Sequence, residues 1–594
     1  MPNPLLNDRD VNFLLHEVFD VEQLCALPYF REHSRETFDL YLDACRKLAR
    51  EQLFPSYRPI DEAPPRLVNG RVQVHPRMQE LFGALSRLGV VNATRPDAVG
   101  GQQLPFTLWS VGGAYLSAGN LSAYGYVGLS AGAARLIESF GSEELKAAYM
   151  EPIYRGEWTG TMALTEPQAG SSLADVKTRA VPQPDGSYRL SGSKIFISGG
   201  DQNITENIVH MTLGRIEGAP PGVKGISLFA VPQRRLEGGA LVDNDTATAG
   251  VIHKIGWRGL PSIALNLGER GECHGYLVGK PNLGLSYMFQ MMNEARLMVG
   301  MQGIATAYVA YQEALEYART RPQGRALSDK NPEAPQVPIV QHADVRRMLL
   351  RQKAIVEGAL GLLIFVAVQS DLAEHSEVPA QKERAQLLLD LLTPVTKSFP
   401  AEHGFEANAL AVQIHGGYGY SSEYLPEAWL RDQKLNSIHE GTTGIQSLDL
   451  LGRKVSMHEG RALLEFARQV RAAVGSAEAA NVDPRLSTAI AQALETTLEL
   501  TQHLLGLRDA EARLLHSADY LELFSLLAVG FIWLKQATQA QMALRAEGAD
   551  ANFYRGKLAA AQYWILTDVP RIQQLAALCR SGEDSYARLS PDWL

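Results

Sequence analysis

A single β-rich segment interrupts a chain whose apolar residues otherwise repeat with helical spacing, and this alternation restricts the fold more than any other feature of the sequence. Residues 159–282 contain short runs such as GSYRLSGSKIFISGG, IVHMTLGRI and GISLFAVPQ, which are separated by Gly, Pro and Asp and are typical of strands. Apolar residues at three- and four-residue spacing on either side predict helices. We therefore predict a mainly α protein with an inserted, compact β domain.

The 594 residues are far more than one domain of about 100–200 residues needs. We predict a helical N-terminal domain over residues 1–158, the β domain over 159–282, a helical bundle over 283–457 and an extra helical domain over 458–594. Within the first domain, the Pro-rich stretch Tyr57–Pro65 predicts a loop between two helices. In the last domain, the apolar run Leu523–Leu534 is shorter than the about 20 residues that span a bilayer, so it predicts a buried helix.

Charge and cysteine content narrow the functional classes. The chain has 56 Lys and Arg against 65 Asp and Glu, a formal net charge of −9, which argues against a general nucleic-acid binder because such binding depends on neutralising phosphates. The four cysteines lie far apart without a CxxC pair, so we expect neither a disulfide framework nor a zinc ribbon. With acidic residues near its start and no spanning segment, the sequence predicts a cytoplasmic protein without a transmembrane helix.

Two segments of the β domain combine a turn or a strand with groups that can contact a flat heterocycle. In Thr161–Ser172 (TMALTEPQAGSS), Pro and Gly impose a turn where the strand pattern begins, and its backbone amides can point at an acceptor-rich ring. In Ser193–Gly200 (SKIFISGG), Phe196 and Ser198 are two residues apart and therefore share one face of the strand. Taken alone, an ordinary turn and a core Phe beside a surface Ser are the simpler interpretations of these segments.

Two segments of the helical bundle carry glycine beside a group suited to chemistry. Gln413–Tyr420 (QIHGGYGY) has three glycines within four positions, which permit the close backbone approach that a phosphate requires. It lacks the GxGxxG pattern, so a Rossmann site is not expected. Ile438–Gln446 (IHEGTTGIQ) places Glu440 beside Gly441 between two helical runs, where a carboxylate can act as a base. A plain turn and a solvated glutamate are the competing interpretations.

In this order and spacing, the four segments resemble the acyl-CoA dehydrogenase flavoprotein family. TEPQAGSS resembles the first signature of the family, and QIHGGYGY followed by LRDQKLNSIHEGTTGIQ resembles the second. VIHKIGWRGLPS, MMNEARLMVGMQGIA and YARTRPQGR resemble its connecting motifs. The resemblance covers roughly residues 40–455, and the length and helical tail resemble a long bacterial subgroup that includes fatty acyl-CoA and 3-methylmercaptopropionyl-CoA dehydrogenases.

The resemblance implies an acyl-CoA dehydrogenase fold, with a helical N-terminal domain, a β-barrel-like middle domain and a helical bundle, followed here by extra C-terminal helices. It also implies FAD, an acyl-CoA substrate, an electron-transfer flavoprotein as electron acceptor and a homo-oligomer that is at least a dimer. The flavin ring would meet Met162, Leu164, Thr165, Phe196 and Ser198. The pyrophosphate and adenosine end would meet Arg321, Gln323, Thr442 and, from a neighbouring subunit, Gln413 and Gly417. The substrate would meet Ser171, Arg296, Gly441, Tyr124 and Gly128.

Three positions depart from the family pattern. Ser172 replaces an Asp of the first signature, Gly324 stands where many members have Phe, and Gly444 replaces a common Gln. The last two weaken the individual FAD contacts at those positions but leave the class unaffected.

Glu440 is the catalytic base that the resemblance implies in the dehydrogenation of fatty acyl-CoA to trans-2-enoyl-CoA, as in fatty acid β-oxidation. It would remove the α-proton while a hydride leaves the β-carbon, and its backbone N–H and a ribityl hydroxyl of FAD would polarise the thioester carbonyl. Some members carry the base immediately before the residue that corresponds to Arg296, but Ala295 stands there. Glu294 is one residue, or about 100° of helix, away, so we expect it to point away from the flavin.

The substrate and the electron acceptor leave alternatives open. Gly128 stands where medium-chain members can carry a Glu, and a missing side chain would leave room, so we predict medium-to-long straight acyl chains. Close helix packing is the competing explanation of this glycine, and a short, branched or thioether acyl group is the competing substrate. An acyl-CoA oxidase would use O₂, and a nitroalkane-oxidising relative would have Asp at the base position. A DNA-associated relative would need a basic C-terminal domain, but residues 461–594 carry 13 Lys and Arg against 15 Asp and Glu.

Overall fold

The computed structural model describes residues 3–328, 331–546, 548 and 550–594, without the side chains of residues 289–292. Most of this part of the chain is helical. Its α-helices are α1 (Asp8–Asn12), α2 (Arg35–Leu48), α3 (Phe54–Glu62), α4 (Arg77–Arg87), α5 (Phe106–Phe140), α6 (Glu143–Leu145), α7 (Glu151–Tyr154), α8 (Gly284–Thr320), α9 (Ala343–His375), α10 (Pro379–His415), α11 (Pro426–Gln433), α12 (Thr443–Asp449), α13 (Arg461–Ala479), α14 (Pro484–Gly506), α15 (Ala510–Leu514), α16 (Ser517–Ala543), α17 (Ala551–Thr567) and α18 (Arg571–Ser581). Helix α5 is broken at Asn120, whose backbone is not helical.

The strands form one large sheet and two small hairpins. They are β1 (Arg66–Val68), β2 (Arg71–Gln73), β3 (Thr159–Ala163), β4 (Arg179–Pro182), β5 (Tyr188–Ser198), β6 (Ile208–Ile216), β7 (Ser227–Pro232), β8 (Arg234–Glu237), β9 (Ala240–Asp243), β10 (Thr246–Val251), β11 (Ser262–Leu267) and β12 (His274–Leu277). The large sheet has the order β10-β11-β5-β12-β7-β6-β3, and β4 pairs with both β5 and β6. The predicted fold class, mainly α with an inserted β-barrel-like domain, is confirmed.

The chain divides into two compact units. One comprises Arg35–Met298 and contains every strand of the described residues. The other comprises the described residues up to Ser34 together with Val299–Leu594 and is helical, so the boundary falls inside α8. Residues before Arg35, which the sequence groups with residues 35–158, here group with the helical unit. The remaining domain boundaries stay predictions.

A buried ionic cluster accounts for the placement of the N-terminal residues. Lys557 of α17 contacts the carboxylates of Asp10 in α1 and Glu357 in α9, and all three side chains are at most 1% exposed. The Tyr308 hydroxyl donates to Asp10 Oδ2 at 2.9 Å. Removing one partner of such a buried pair leaves an uncompensated charge and costs about 3–5 kcal/mol. The cluster therefore fixes α1 to α9 and α17, a long-range pairing that hydrophobic periodicity cannot report.

The C-terminal helices pack on the preceding bundle through α16. Trp533 of α16 lies against Gly358 of α9, and its indole Nε1 donates to the Ala354 carbonyl at 2.9 Å. A Cβ on Gly358 would lie 2.7 Å from that nitrogen, so a glycine is needed for this approach. The buried helix predicted over Leu523–Leu534 lies within α16. Helices α9 and α16 have the length and composition of a membrane span, but 83% of the apolar window of each is buried inside the protein.

The loop predicted over Tyr57–Pro65 is wrong for most of its length. Helix α3 covers Phe54–Glu62 and contains Pro59. Because a proline has no N–H, Pro59 removes one backbone hydrogen bond from this helix of nine residues. The buried side chains of Tyr57 and Ile60 stabilise the helix despite this loss.

A buried histidine joins the bundle to the C-terminal helices. His403 of α10 places Nε2 at 2.9 Å from Glu522 Oε2 of α16 and Nδ1 at 3.5 Å from Glu406 Oε2. Its ring stacks on Phe399, with 4.5 Å between the ring centroids. Burial alone would lower the pKa of His403, but the carboxylates of Glu522 and Glu406 outweigh it and raise the pKa from 6.5 to about 9. His403 is therefore protonated at neutral pH.

This charge makes stability depend on pH. Because the folded pKa of His403, about 9, exceeds the ordinary 6.5, the stabilisation is complete below pH 6.5 and is lost as the pH rises towards 9. We expect the free energy of unfolding to fall by roughly 3 kcal/mol more in the wild type than in His403→Gln over this range, since one pKa unit corresponds to about 1.4 kcal/mol. Denaturant unfolding at several pH values measures the difference, and parallel pH profiles of the two proteins would contradict the assignment.

Candidate active site

Glu440 lies on a strained turn between the 3₁₀ turn Lys434–Ser437 and helix α12. Its φ of 53° and the φ of 86° at Gly441 put two successive residues in the left-handed region. Glycine adopts this conformation freely, whereas a residue with a Cβ loses about 1–2 kcal/mol. Such strain persists only where the surroundings hold the backbone, and it is concentrated at functional sites.

The side chain of Gln446 holds this turn. Its Nε2 donates to the carbonyl oxygens of Glu440 and Gly441 at 3.2 and 3.3 Å, and the residue is fully buried. Thr442 is the N-cap of α12, and its hydroxyl accepts from the Ile445 N–H at 3.2 Å. Sequence analysis missed Gln446, because its only signal is a polar residue on the buried side of a short helix.

Phe196 has a left-handed backbone as well, with a φ of 60°. The pairing of β5 with β11 shifts by one residue between Lys194 and Ile197, so Ile195 and Phe196 form a β-bulge. A bulge changes the direction of a side chain and is common beside active sites. The Phe196 side chain is 61% exposed, and Ser198, two residues on, is half-buried. Buried Ile197 lies between them, as expected if Phe196 and Ser198 share the opposite face.

The backbone around Met162 is suited to a ligand. Met162 lies in β3, which ends the large sheet and pairs with β6. A strand at the end of a sheet presents backbone N–H and C=O groups on its outer side. Leu164 and Thr165 follow directly and are half-buried, and the Thr165 carbonyl accepts from the Ile195 N–H at 3.0 Å. This bond fixes the segment beside the bulge that carries Phe196.

A buried ion pair, which sequence analysis missed, fixes the following loop. Lys194 Nζ lies 2.9 Å from Glu166 Oε1 and donates to the carbonyl oxygens of Leu164 and Leu213 at 3.1 and 2.7 Å. Burial alone would raise the pKa of Glu166, but Lys194 and the hydroxyl and N–H donors of the next loop lower it to about 2. Both residues lie in motifs that the sequence analysis names, yet their pairing depends on the sheet and not on local pattern.

In the helical unit, Arg321 and the loop Gly416–Tyr420 meet within one chain. The Arg321 guanidinium lies 5.5 Å from the ring centroid of Tyr418. A Cβ built on Gly417 meets no atom within 4 Å, so the backbone of the loop is open there. Gln413 lies in the last turn of α10, directly before this loop. The arrangement brings a guanidinium and accessible glycine backbone together, and both are groups that bind phosphate.

Gln323 and Gly324 lie beside a histidine. The Gln323 carbonyl lies 2.7 Å from His342 Nε2, and a Cβ on Gly324 would lie 3.4 Å from the same imidazole. Gly324 has a φ of 66°, so the turn itself favours glycine. This conformation gives a physical reason for the departure from the family pattern at this position.

The two units each present groups that fit a part of FAD. Arg35–Met298 offers an exposed aromatic ring, a hydroxyl and the backbone of an edge strand, which can cover and hydrogen-bond a flat heterocycle. The helical unit offers Arg321 and the open Gly417 backbone for a pyrophosphate. No group of three or more His, Cys, Asp and Glu side chains in the described part of the chain could hold a metal ion.

The residues that the family resemblance implies as substrate contacts differ in solvent exposure. Ser171 is exposed and Gly441 half-buried, whereas Arg296 is 5% and Tyr124 0% exposed. The Tyr124 hydroxyl has no hydrogen-bond partner among the described residues. Burial raises the pKa of this hydroxyl, so it stays neutral.

The space beside Gly128 is filled. A Cβ built on Gly128 would lie 2.6 Å from Met298 Sδ and 3.2 Å from Met298 Cε. The expectation that the missing side chain leaves room is therefore wrong, because the side chain of Met298 from α8 occupies that space. The two residues are far apart in the sequence, so no local pattern could show their contact.

Glu294 is engaged elsewhere. Its Oε1 lies 2.5 Å from Arg135 Nη1, and its side chain is 31% exposed. Glu294 therefore has an ion-pair partner in α5, and its lack of a catalytic role stays a prediction.

Four family models match the chain in succession. They are the acyl-CoA dehydrogenase N-terminal domain over residues 35–157, the middle domain over 161–266, the C-terminal domain over 282–455, and the acetyl-CoA dehydrogenase C-terminal-like domain over 466–590. Together they cover most of the chain, including the four motif segments that contain Met162, Phe196, Gly417 and Glu440.

Known proteins agree with these matches. A 3-methylmercaptopropionyl-CoA dehydrogenase from Ruegeria pomeroyi is 38% identical over 558 residues, which are 93% of this chain and 94% of that protein. A broad-specificity linear acyl-CoA dehydrogenase from Mycobacterium tuberculosis is 32% identical over 584 residues, 95% of each chain. The structure of an acyl-CoA dehydrogenase from Bacillus anthracis, complexed with FAD, shares the fold with a TM-score of 0.73 at 19% identity, over 98% of this chain and 93% of that chain. The chain therefore belongs to the acyl-CoA dehydrogenase family, whose members bind FAD and oxidise CH–CH bonds.

Proposed function

We propose that the protein dehydrogenates acyl-CoA thioesters between the α- and β-carbons, with Glu440 as the catalytic base. The observation that carries this proposal is the left-handed turn at Glu440 and Gly441, held by two hydrogen bonds from buried Gln446. A carboxylate on a backbone held in this way has a more defined position than a solvated loop glutamate, and a defined position is what proton abstraction requires.

The chemistry assigns a separate task to each group. The α-proton of a thioester is weakly acidic, so the Glu440 carboxylate removes it while the Glu440 backbone N–H donates to the thioester carbonyl and stabilises its developing charge. The hydride that leaves the β-carbon would go to FAD, which supplies the redox chemistry when bound. Phe196 would cover one face of the flavin ring and Ser198 would donate to it. Arg321 and the Gly417 backbone would bind the pyrophosphate.

For the acyl group, we propose a short chain in place of the medium-to-long chain that the sequence predicts. A Cβ on Gly199, the residue after Ser198, would lie 3.6 Å from the side chains of Tyr126 and Leu129, so this part of α5 adjoins the flavin-binding strand. Gly128 lies between these two residues in the sequence, and Met298 fills the space at its Cα. A side chain at that position limits the length of an acyl group that enters there. The similarity to the 3-methylmercaptopropionyl-CoA dehydrogenase from Ruegeria pomeroyi, whose name specifies a short thioether acyl group, supports this choice.

We also propose an electron-transfer flavoprotein as the electron acceptor, a homodimer, and a place in cytoplasmic acyl-CoA oxidation. The proximity of Arg321 to Tyr418 within one chain indicates which subunit's FAD each of these residues would reach in a dimer. If Gln413 and Gly417 serve the FAD of the neighbouring subunit, Arg321 and Gln323 of the same chain serve that FAD too. All four residues then act in trans.

Replacing Glu440 by Gln tests the base. Glu440→Gln keeps the shape of the side chain but cannot accept a proton, so flavin reduction by acyl-CoA should slow by about 10³-fold, within the usual range for a general base. Stopped-flow absorbance of the FAD-loaded enzyme measures this rate. Glu294→Gln is the matched control and should reduce flavin at the wild-type rate. Near-normal reduction in Glu440→Gln would remove Glu440 from this role.

Replacing Met298 by Ala tests the acyl length. The change removes Cγ, Sδ and Cε, which leaves room for about three methylene groups, each worth about 0.8 kcal/mol or fourfold in kcat/KM when buried. The preferred straight-chain substrate should therefore lengthen by two or three carbons in Met298→Ala. Met301→Ala removes the same atoms from a buried site on the same helix and should keep the wild-type profile. A wild-type optimum at long chains, or one length profile for all three proteins, would refute the assignment.

A further inference from the structure

Helix α12, which begins two residues after Gly441, packs on helix α16 of the C-terminal helices. Ser447 Oγ of α12 lies 3.1 Å from Ser517 Oγ, at the first residue of α16. Ser447 is 1% and Ser517 7% exposed, so water does not compete for this bond. The contact joins the segment that follows the catalytic turn directly to the C-terminal domain.

The donor in the hydrogen bond between Ser447 and Ser517 can be assigned from the other hydrogen bond that Ser447 makes. Ser447 Oγ also lies 2.8 Å from the Gly444 carbonyl, which can only accept. A serine hydroxyl has one hydrogen, so the hydrogen of Ser447 goes to Gly444 and Ser517 donates to Ser447. Ser517 thereby completes the hydrogen bonding of a buried hydroxyl inside the first turns of α12.

Helix α12 depends on such contacts for its orientation. Its seven α-helical residues continue into the π-helical turn Leu450–Lys454, and a helical segment of this length is marginal by itself. One turn before Ser447, the Thr443 hydroxyl donates to Glu402 of α10. The position of α12 is therefore set by side chains from α10 and α16, and a change at either contact moves the helix.

Movement of α12 reaches the catalytic base through the neighbour of Ser447. Gln446 donates to the Glu440 and Gly441 carbonyls. A Cβ on Gly441 would lie 2.6 Å from Gln446 Nε2, so this amide packs directly against the turn. We infer that Ser517 of the C-terminal domain is a positioning residue for Glu440, acting through Ser447 and Gln446. This gives the C-terminal helices a role in catalysis in addition to packing, and it rests on the proposed function of Glu440.

Paired serine substitutions on one helix test the inference. Ser517→Ala should lower the limiting rate of flavin reduction by roughly 3- to 10-fold with an unchanged KM, since small displacements of reacting groups cost up to about 10²-fold. Ser525→Ala is the matched control: Ser525 is also buried in α16, but its hydroxyl donates to the Leu521 carbonyl of its own helix. It should keep the wild-type rate and show a similar melting temperature. Ser517→Thr, which restores a hydroxyl, should recover most of the rate.

A double variant separates this coupling from general destabilisation. Ser447→Ala and Ser517→Ala remove the two ends of one bond, so the double variant should be no slower than Ser447→Ala alone, whereas independent effects would multiply. Equal rates in Ser517→Ala and Ser525→Ala, or multiplying effects in the double variant, would overturn the inference. If Glu440→Gln is impaired while Ser517→Ala is not, only the positioning role fails; if Glu440→Gln reduces flavin normally, the proposed function fails with it.

Discussion

Two hydrogen bonds from the buried amide of Gln446 hold the backbone of Glu440, the residue proposed as the catalytic base. Without them, Glu440 would relax from its left-handed conformation, because that conformation is unfavourable for any residue with a Cβ. The helix that carries Gln446 is short and is itself held by neighbouring helices. The position of one carboxylate thus depends on contacts that extend from the signature motif into the C-terminal domain.

Strand β5, which carries Phe196, is also held in an unfavourable conformation by its neighbours. Phe196 is also left-handed, and its conformation is imposed by a β-bulge between two paired strands. The buried pair of Lys194 and Glu166 fixes the adjoining loop. At the Glu440 turn and at the Phe196 bulge, neighbouring helices and strands supply the hydrogen bonds or the opposite charge that offset an unfavourable backbone conformation or a buried charge. Both segments lie in the motifs of the family.

Sequence analysis identified the fold class from periodicity, and it identified the family, with FAD as its cofactor, from the resemblance of local motifs. What it could not give depends on contacts between distant residues. The Lys557 cluster that attaches α1 and the filling of the Gly128 space by Met298 are of this kind. The support of Glu440 by Gln446 is local, but it depends on the left-handed turn, which the sequence pattern does not show. The helix over Phe54–Glu62 was missed because its prolines suggest a loop, while its buried residues favour a helix.

The base assignment can be tested without hydride transfer. 3,3-Dimethylbutyryl-CoA has α-protons but no β-hydrogen, so the enzyme can remove a proton from it and cannot oxidise it. In D₂O, NMR follows the loss of its α-proton signal in the presence of the FAD-loaded enzyme. The account predicts exchange by the wild type and by Glu294→Gln, and exchange slower by about 10³-fold in Glu440→Gln. Equal exchange in the wild type and Glu440→Gln would contradict the assignment of Glu440 as the base.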